Sequence, residues 1–167
     1  MQHAACWQAN TLKDNNMDEK AKKVLSRLEN QCARREYCTE DIRQKALKAM
    51  DNDEEAAAGI VESLQRDSFV SDLRYASAFA REKASLTGWG PVKIRFALGA
   101  KKIDRATIDA AMQEIEPDKA DDRLRRLMEQ KWKSLQDDPN GKLKLLKFAL
   151  GRGYSYDQVR KVADDIC

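Results

Sequence analysis

The sequence predicts an all-α fold of three tandem three-helix repeats, forming an elongated, curved, solenoid-like array. Three observations carry that prediction. Apolar residues recur at helical rather than strand spacing along nearly the whole chain. Only seven glycines and three prolines interrupt 167 residues, and most fall where helices should begin or end. Phe96-Ala97-Leu98-Gly99 returns as Phe148-Ala149-Leu150-Gly151, an interval of 52 that also links Ile42 to Ile94 and Ile94 to Leu146.

The first helix reads as residues 18–36, with Ala21, Val24, Leu25, Leu28 and Cys32 on one face. Thr39 can cap a second helix carrying Ile42, Ala46, Leu47 and Met50. Asn52 and Glu55 resemble a capping box for a third, with Ala57, Ile60, Val61 and Leu64. A fourth runs from Val70 to Leu86 with Leu73, Ala76, Phe79 and Ala80 as its apolar side, until Gly88-Trp89-Gly90 stops it. Pro91 suits the first turn of a fifth, where its missing N–H costs nothing, and Ile94, Ala97 and Leu98 follow. Asp104 can cap a sixth with Ile108, Ala111, Met112 and Ile115. Pro117 opens a seventh, with Leu124, Leu127, Met128 and Leu135. Pro139 sits just inside an eighth that carries Leu143, Leu146, Phe148, Ala149 and Leu150 and ends in a left-handed Gly153. Ser155 and Gln158 form a second capping-box candidate for the ninth, with Val159, Val162, Ala163 and Ile166.

The expected organisation is a disordered tail over 1–17, then repeats over 18–67, 68–116 and 117–167. No run approaches the roughly 18–20 apolar residues of a membrane span, and the first residues lack a secretion-signal pattern. A cytoplasmic location, no membrane contact and a monomer are expected. Cys6, Cys32, Cys38 and Cys167 are scattered without a CxxC pair, so reduced thiols are expected, with Cys32 in the core.

The net charge of +3 hides a strong alternation. Thr39 to Asp72 holds four Lys/Arg against nine Asp/Glu. Arg74 to Arg105 holds eight against two, Ala106 to Asp122 one against six, and Arg123 to Lys161 eleven against four. Two basic blocks on a nearly neutral chain point to an anionic partner surface.

Catalytic chemistry has little to stand on. The one histidine, His3, lies in the expected tail, which excludes histidine-based triads and imidazole metal sites in the folded body. Gly141-Lys142 fails as a phosphate loop, because Gln136 stands where a glycine is required and Leu143 replaces the Ser/Thr. The Gly88-Trp89-Gly90-Pro91 turn needs no role beyond stopping one helix and starting the next. No enzyme activity, cofactor or metal is expected. The candidate partner-binding residues are instead Arg81, Lys83, Lys93 and Arg95 in the middle repeat, and Lys142, Lys144, Lys147 and Arg152 in the last. Basic side chains among aromatics suit a phosphate-rich or acidic partner. Trp89 joins them either as a cover on the core edge or as an anchor for a protein contact.

From about Asp18 onward the chain resembles the RecX family of bacterial regulators of the RecA recombinase. The resemblance rests on Asp72, Tyr75-Ala76, Phe79 and Arg81, then Gly90-Pro91-Val92-Lys93-Ile94-Arg95 and Leu98. Cys32-Ala33-Arg34-Arg35-Glu36-Tyr37 with Ile42, Lys45 and Leu47 continues it in the first repeat, and Phe148, Leu150 and Arg152-Gly153-Tyr154-Ser155-Tyr156 in the last. Two departures stand out. Family members usually have an acidic and a basic residue around Leu98, where this chain has Ala97 and Gly99. The helix-ending glycine of Arg152-Gly153 is replaced at the corresponding points by Met50 and Lys102.

The resemblance implies three tandem three-helix units. It also implies binding in the groove of a RecA–DNA filament, restraining its recombinase and ATPase activity in homologous recombination, DNA repair and the SOS response. The RecA filament is then the partner, with single- or double-stranded DNA as a further one. Two other readings stay open: a direct DNA-binding helical module, and a helical-repeat adaptor for another acidic protein.

Overall fold

The structure, a computed structural model, describes residues 17–115 and 117–167, with backbone alone for 117–119. The tail expected over 1–17, with His3 and Cys6, lies outside the described residues apart from Met17. Among the described residues the chain is all-α, with nine helices: α1 (Glu19–Cys32), α2 (Thr39–Ala49), α3 (Glu54–Arg66), α4 (Asp72–Leu86), α5 (Pro91–Ala100), α6 (Arg105–Gln113), α7 (Pro117–Trp132), α8 (Gly141–Gly151) and α9 (Tyr156–Ile166). They form two compact units, Met1–Tyr75 and Ala76–Cys167, divided inside the first turn of α4.

In the first unit α1 and α2 pack on α3. Asp18 caps α1 by accepting the Ala21 amide at 2.6 Å. The face Ala21, Val24 and Leu28 is buried, as the three-and-four spacing requires. The helix stops at Cys32, short of the expected residue 36. The chain must turn there to bury Tyr37 and Cys38, whereas Ala33, Arg34 and Arg35 face solvent. Cys38 is the fully buried thiol; Cys32 only borders the core.

Two caps differ from expectation. Cys38, not Thr39, caps α2, its Sγ accepting the Asp41 amide at 3.5 Å, while the Thr39 amide itself donates to Asp72 Oδ1 at 2.7 Å. Asp53, not Asn52, caps α3 through the Ala56 amide at 3.0 Å. Asn52 is held at φ 67° after Asp51 at φ 55°, the left-handed turn that short polar residues tolerate. Leu28, Ile42, Ile60 and Leu64 are fully buried and form the centre of this core.

Helix α4 begins at Asp72, with Val70 buried but outside it. Its inward face is Ala76, Ala80 and Ala84 with Ser77, while Leu73, expected inside, is 45% exposed. Asp104 caps α6 as expected, accepting the Thr107 amide at 2.9 Å. In the last repeat α9 packs on both α7 and α8, which also pack on each other. Leu135 is buried but lies beyond the end of α7. Pro139 precedes α8, whose first residue, Gly141, is pressed against the Leu135 carbonyl. The buried side of α8 is Gly141, Leu145 and Ala149; of the expected residues Ala149 is buried and Leu146 borders the core, whereas Leu143 is 51% exposed and Leu150 is also exposed. The Ser155–Gln158 capping box forms as expected.

These positions revise the repeat interval. The caps Asp53, Asp104 and Ser155 are spaced by 51, as are buried Ile60, Ala111 and Val162. Fully buried Leu98 therefore corresponds to Ala149, and the Phe-Ala-Leu-Gly match at 52 is one residue out of structural register. The left-handed residue that closes the second helix of each repeat is Asp51, Lys102 and Gly153 in turn, so Asp51 rather than Met50 takes the glycine's place.

Candidate functional site

The expected site residues lie in the second unit, and several meet where the second and third repeats touch. Two short segments make that contact. One follows α4: Thr87, Gly88 at φ 64°, Trp89 and Gly90. The other follows α8: Arg152 and Gly153 at φ 89°. The Gly90 amide donates to the Arg152 carbonyl at 2.8 Å, and the Val92 amide to the Gly153 carbonyl at 3.0 Å. Arg152 returns the contact, its Nη1 donating to the Thr87 carbonyl at 2.7 Å. Both glycines are required by space. A methyl carbon on Gly90 would lie 2.3 Å from the Gly153 oxygen, and one on Gly153 would lie 2.2 Å from Lys93 Cβ. The Gly88-Trp89-Gly90 turn therefore does more than stop and start helices; it is the seam between two repeats.

The seam gathers four of the nine expected residues. Lys93 Nζ lies 4.5 Å from the centre of the Trp89 ring and 3.5 Å from the Gly151 carbonyl. Lys83 Nζ lies 5.8 Å from the same ring and 5.3 Å from Phe79, which meets Trp89 edge-on at 6.2 Å. Arg152 stacks on Phe148 at 5.3 Å, a four-residue helical pair that the sequence spacing could have revealed. Trp89 is half-buried and covers Phe79, the first of its two anticipated roles, while its ring faces the chain's own Lys83 and Lys93. Such cation–ring contacts contribute about 0.5–1 kcal/mol each where exposed. Lys147 is exposed on α8, one turn before Gly151, with no ion pair among the described residues.

Lys83 of the seam also meets Glu82 at 3.0 Å, and the four remaining expected residues sit in ion pairs of their own. Arg81 meets Glu114 at 3.5 Å, Arg95 pairs with Asp109, Lys142 meets Asp164 at 2.9 Å, and Lys144 pairs with Asp138. The hydrogen bond from Lys142 holds the Asp164 carboxyl below the usual carboxylate range, and the one from Lys144 does the same for Asp138. The acidic stretch after Arg105 thus folds back to neutralise part of the basic block before it. Asp164 and Asp165 are partnered by Lys142, Arg160 and Arg125. All of these pairs are partly solvated and individually weak. Among the described residues no three His, Cys, Asp or Glu side chains group as metal ligands, and no helix is long and apolar enough to cross a membrane.

Comparison with known proteins adds a family likeness. Residues 71–112 match the model of the RecX second three-helix domain, and 119–163 that of the RecX third three-helix domain. The regulatory protein RecX of Stenotrophomonas maltophilia (strain K279a) is 31% identical over 131 residues, 77% of each chain. That of Pseudomonas entomophila (strain L48) is 28% identical over 131 residues, 78% of this chain and 83% of the relative. A crystal structure of regulatory protein RecX superposes with a TM-score of 0.78 at 23% identity, covering 87% of this chain and 72% of that one. RecX from Lactobacillus salivarius gives 0.76 at 19%, covering 89% and 97%. At such identities the structural likeness speaks for the fold.

Proposed function

The chain belongs to the RecX family, and on that premise we propose that it binds the RecA–DNA filament and restrains the recombinase and ATPase activity of RecA in DNA repair and the SOS response. It does so as a cytoplasmic monomer without enzymatic activity or a cofactor, through the repeats at 18–67, 68–116 and 117–167. The observation that carries this reading is the seam of the second unit, where Lys83, Trp89, Lys93 and Arg152 share one surface. A half-buried aromatic ringed by cations suits an acidic protein surface: the ring supplies apolar contact and the cations orientation. A binder that prefers one filament state shifts filament assembly by mass action.

The test is ATP hydrolysis by RecA on single-stranded DNA with increasing amounts of the full chain. Hydrolysis should fall and saturate. Lys83→Glu with Lys93→Glu should raise the half-inhibitory concentration about ten-fold, roughly 1.4 kcal/mol. Unchanged hydrolysis at saturating protein would sink the reading. A direct DNA-binding module is less well supported, because Arg81, Arg95, Lys142 and Lys144 already have carboxylate partners. It requires tight binding to naked DNA that weakens steeply with salt.

A further inference from the structure

A second feature lies within the second repeat and takes no part in the seam. Helices α5 and α6 leave an open pocket of about 530 Å³, lined by Arg95, Gly99, Ile103, Arg105, Ile108 and Asp109. Ile103 and Ile108 are buried and form its apolar floor. Gly99 opens it: a methyl carbon added there would meet nothing within 4 Å, so packing does not demand glycine. Glycine inside a helix is destabilising relative to alanine, which leaves its presence without a structural reason. One carboxylate, Asp109, is shared between the Arg95 and Arg105 guanidiniums, so the rim keeps a net positive charge. Phe96, one turn before Gly99 on the same face, is 80% exposed, and Val92 beside it is also exposed.

We propose that this pocket docks a segment of the partner protein that presents an apolar side chain beside a carboxylate. The apolar group enters over Gly99 onto Ile103 and Ile108, Phe96 covers it, and the carboxylate joins Arg105. Charge complementarity selects the occupant, since a nucleic-acid backbone would satisfy the arginines but leave the apolar floor and Phe96 bare. The inference rests on the function proposed above and names the protein, not the DNA, as what the pocket reads.

Gly99→Leu tests it by plugging the pocket with a residue that favours helix. Affinity for the RecA filament on single-stranded DNA, affinity for that DNA alone and the thermal midpoint are measured for the full-length wild type, Gly99→Leu, Phe96→Ala and Arg105→Glu. Gly99→Leu should bind the filament about ten-fold more weakly with an unchanged or raised midpoint, Phe96→Ala and Arg105→Glu should weaken it in the same direction, and DNA affinity should not change. Filament binding by Gly99→Leu equal to wild type would overturn the pocket while leaving the proposed function standing. An equal loss on naked DNA would overturn it in favour of a nucleic-acid site. A wild type that does not bind the filament removes both.

Discussion

Gly90→Ala isolates the seam. The backbone of Gly90 has φ −79°, which alanine adopts freely, so any cost comes from space alone. The added methyl carbon would sit 2.3 Å from the Gly153 oxygen, 2.4 Å from its carbonyl carbon and 2.5 Å from the Tyr154 nitrogen. All three are backbone atoms, so no rotamer change relieves them. Ordinary contact begins near 3.4 Å, so the two segments must part by about 1 Å. The bonds at 2.8 and 3.0 Å from the Gly90 and Val92 amides then break. Overpacking costs about 1–3 kcal/mol and each lost hydrogen bond about 0.5–1.5 kcal/mol, so the sum is about 2–6 kcal/mol.

Urea unfolding followed by helical ellipticity measures the total, and amide exchange at Val92 reads the seam itself. Gly99→Ala is the control: it meets nothing, replaces a helical glycine and should stabilise by about 0.5–1 kcal/mol. If Gly90→Ala unfolds within about 0.5 kcal/mol of wild type with Val92 still protected, the close approach is not part of the native state and the seam as described is wrong.

The inward face of α8 separates two neighbours: Leu145→Ala should cost about 2–5 kcal/mol, whereas Leu143→Ala should stay within about 0.5 kcal/mol of wild type by the same urea titration. Ser155→Ala removes the capping box of α9 and should cost about 1 kcal/mol. Asp104 is held below its usual 3.8 by its bond to the Thr107 hydroxyl and then by the Thr107 amide. A depressed carboxylate stabilises the fold fully above that value and loses its contribution as pH falls through the lower folded one. The stability gap between wild type and Asp104→Ala should therefore be constant at neutral pH and shrink below about pH 4, which a series of thermal midpoints checks.

The helices were legible because their signals are local. Apolar residues three and four apart identify the buried sides of α1, α3 and α9, and Asp104 and Ser155 announce their caps. The misreadings share one cause: competition between equally local candidates that only packing decides. Asn52 and Asp53 can both cap α3, but Asn52 is taken up by the left-handed turn at φ 67°, so Asp53, with extended backbone, makes the cap. In α8 every residue from Leu143 to Leu150 other than Lys144 and Lys147 is apolar, so periodicity alone cannot say which side faces inward. A four-residue identity then pulled the repeat into register at 52, although burial follows 51. The seam was half legible. Gly90-Pro91 and Arg152-Gly153 were singled out, but their meeting is a contact between residues some 60 apart in sequence, which no local pattern encodes.

The same distinction governs the charges. Counted along the chain, the basic blocks suggest broad attraction to any polyanion. Folding converts much of that charge into short-range pairs, such as Arg95 with Asp109 and Lys142 with Asp164. Long-range attraction is screened within about 8–10 Å at ordinary salt, so a chain with paired cations gains little from non-specific association. What it keeps is geometry. Lys83 and Lys93 are held against one tryptophan by a seam of backbone hydrogen bonds, and Arg152 is fixed across that seam to Thr87. Cations placed this way lose less freedom on binding than lysines on an open helix face. Under the proposed function they would discriminate by position rather than by total charge. Selectivity for one partner surface over bulk polyanion would then follow from the close approach that Gly90 and Gly153 allow between the two segments, not from the number of lysines.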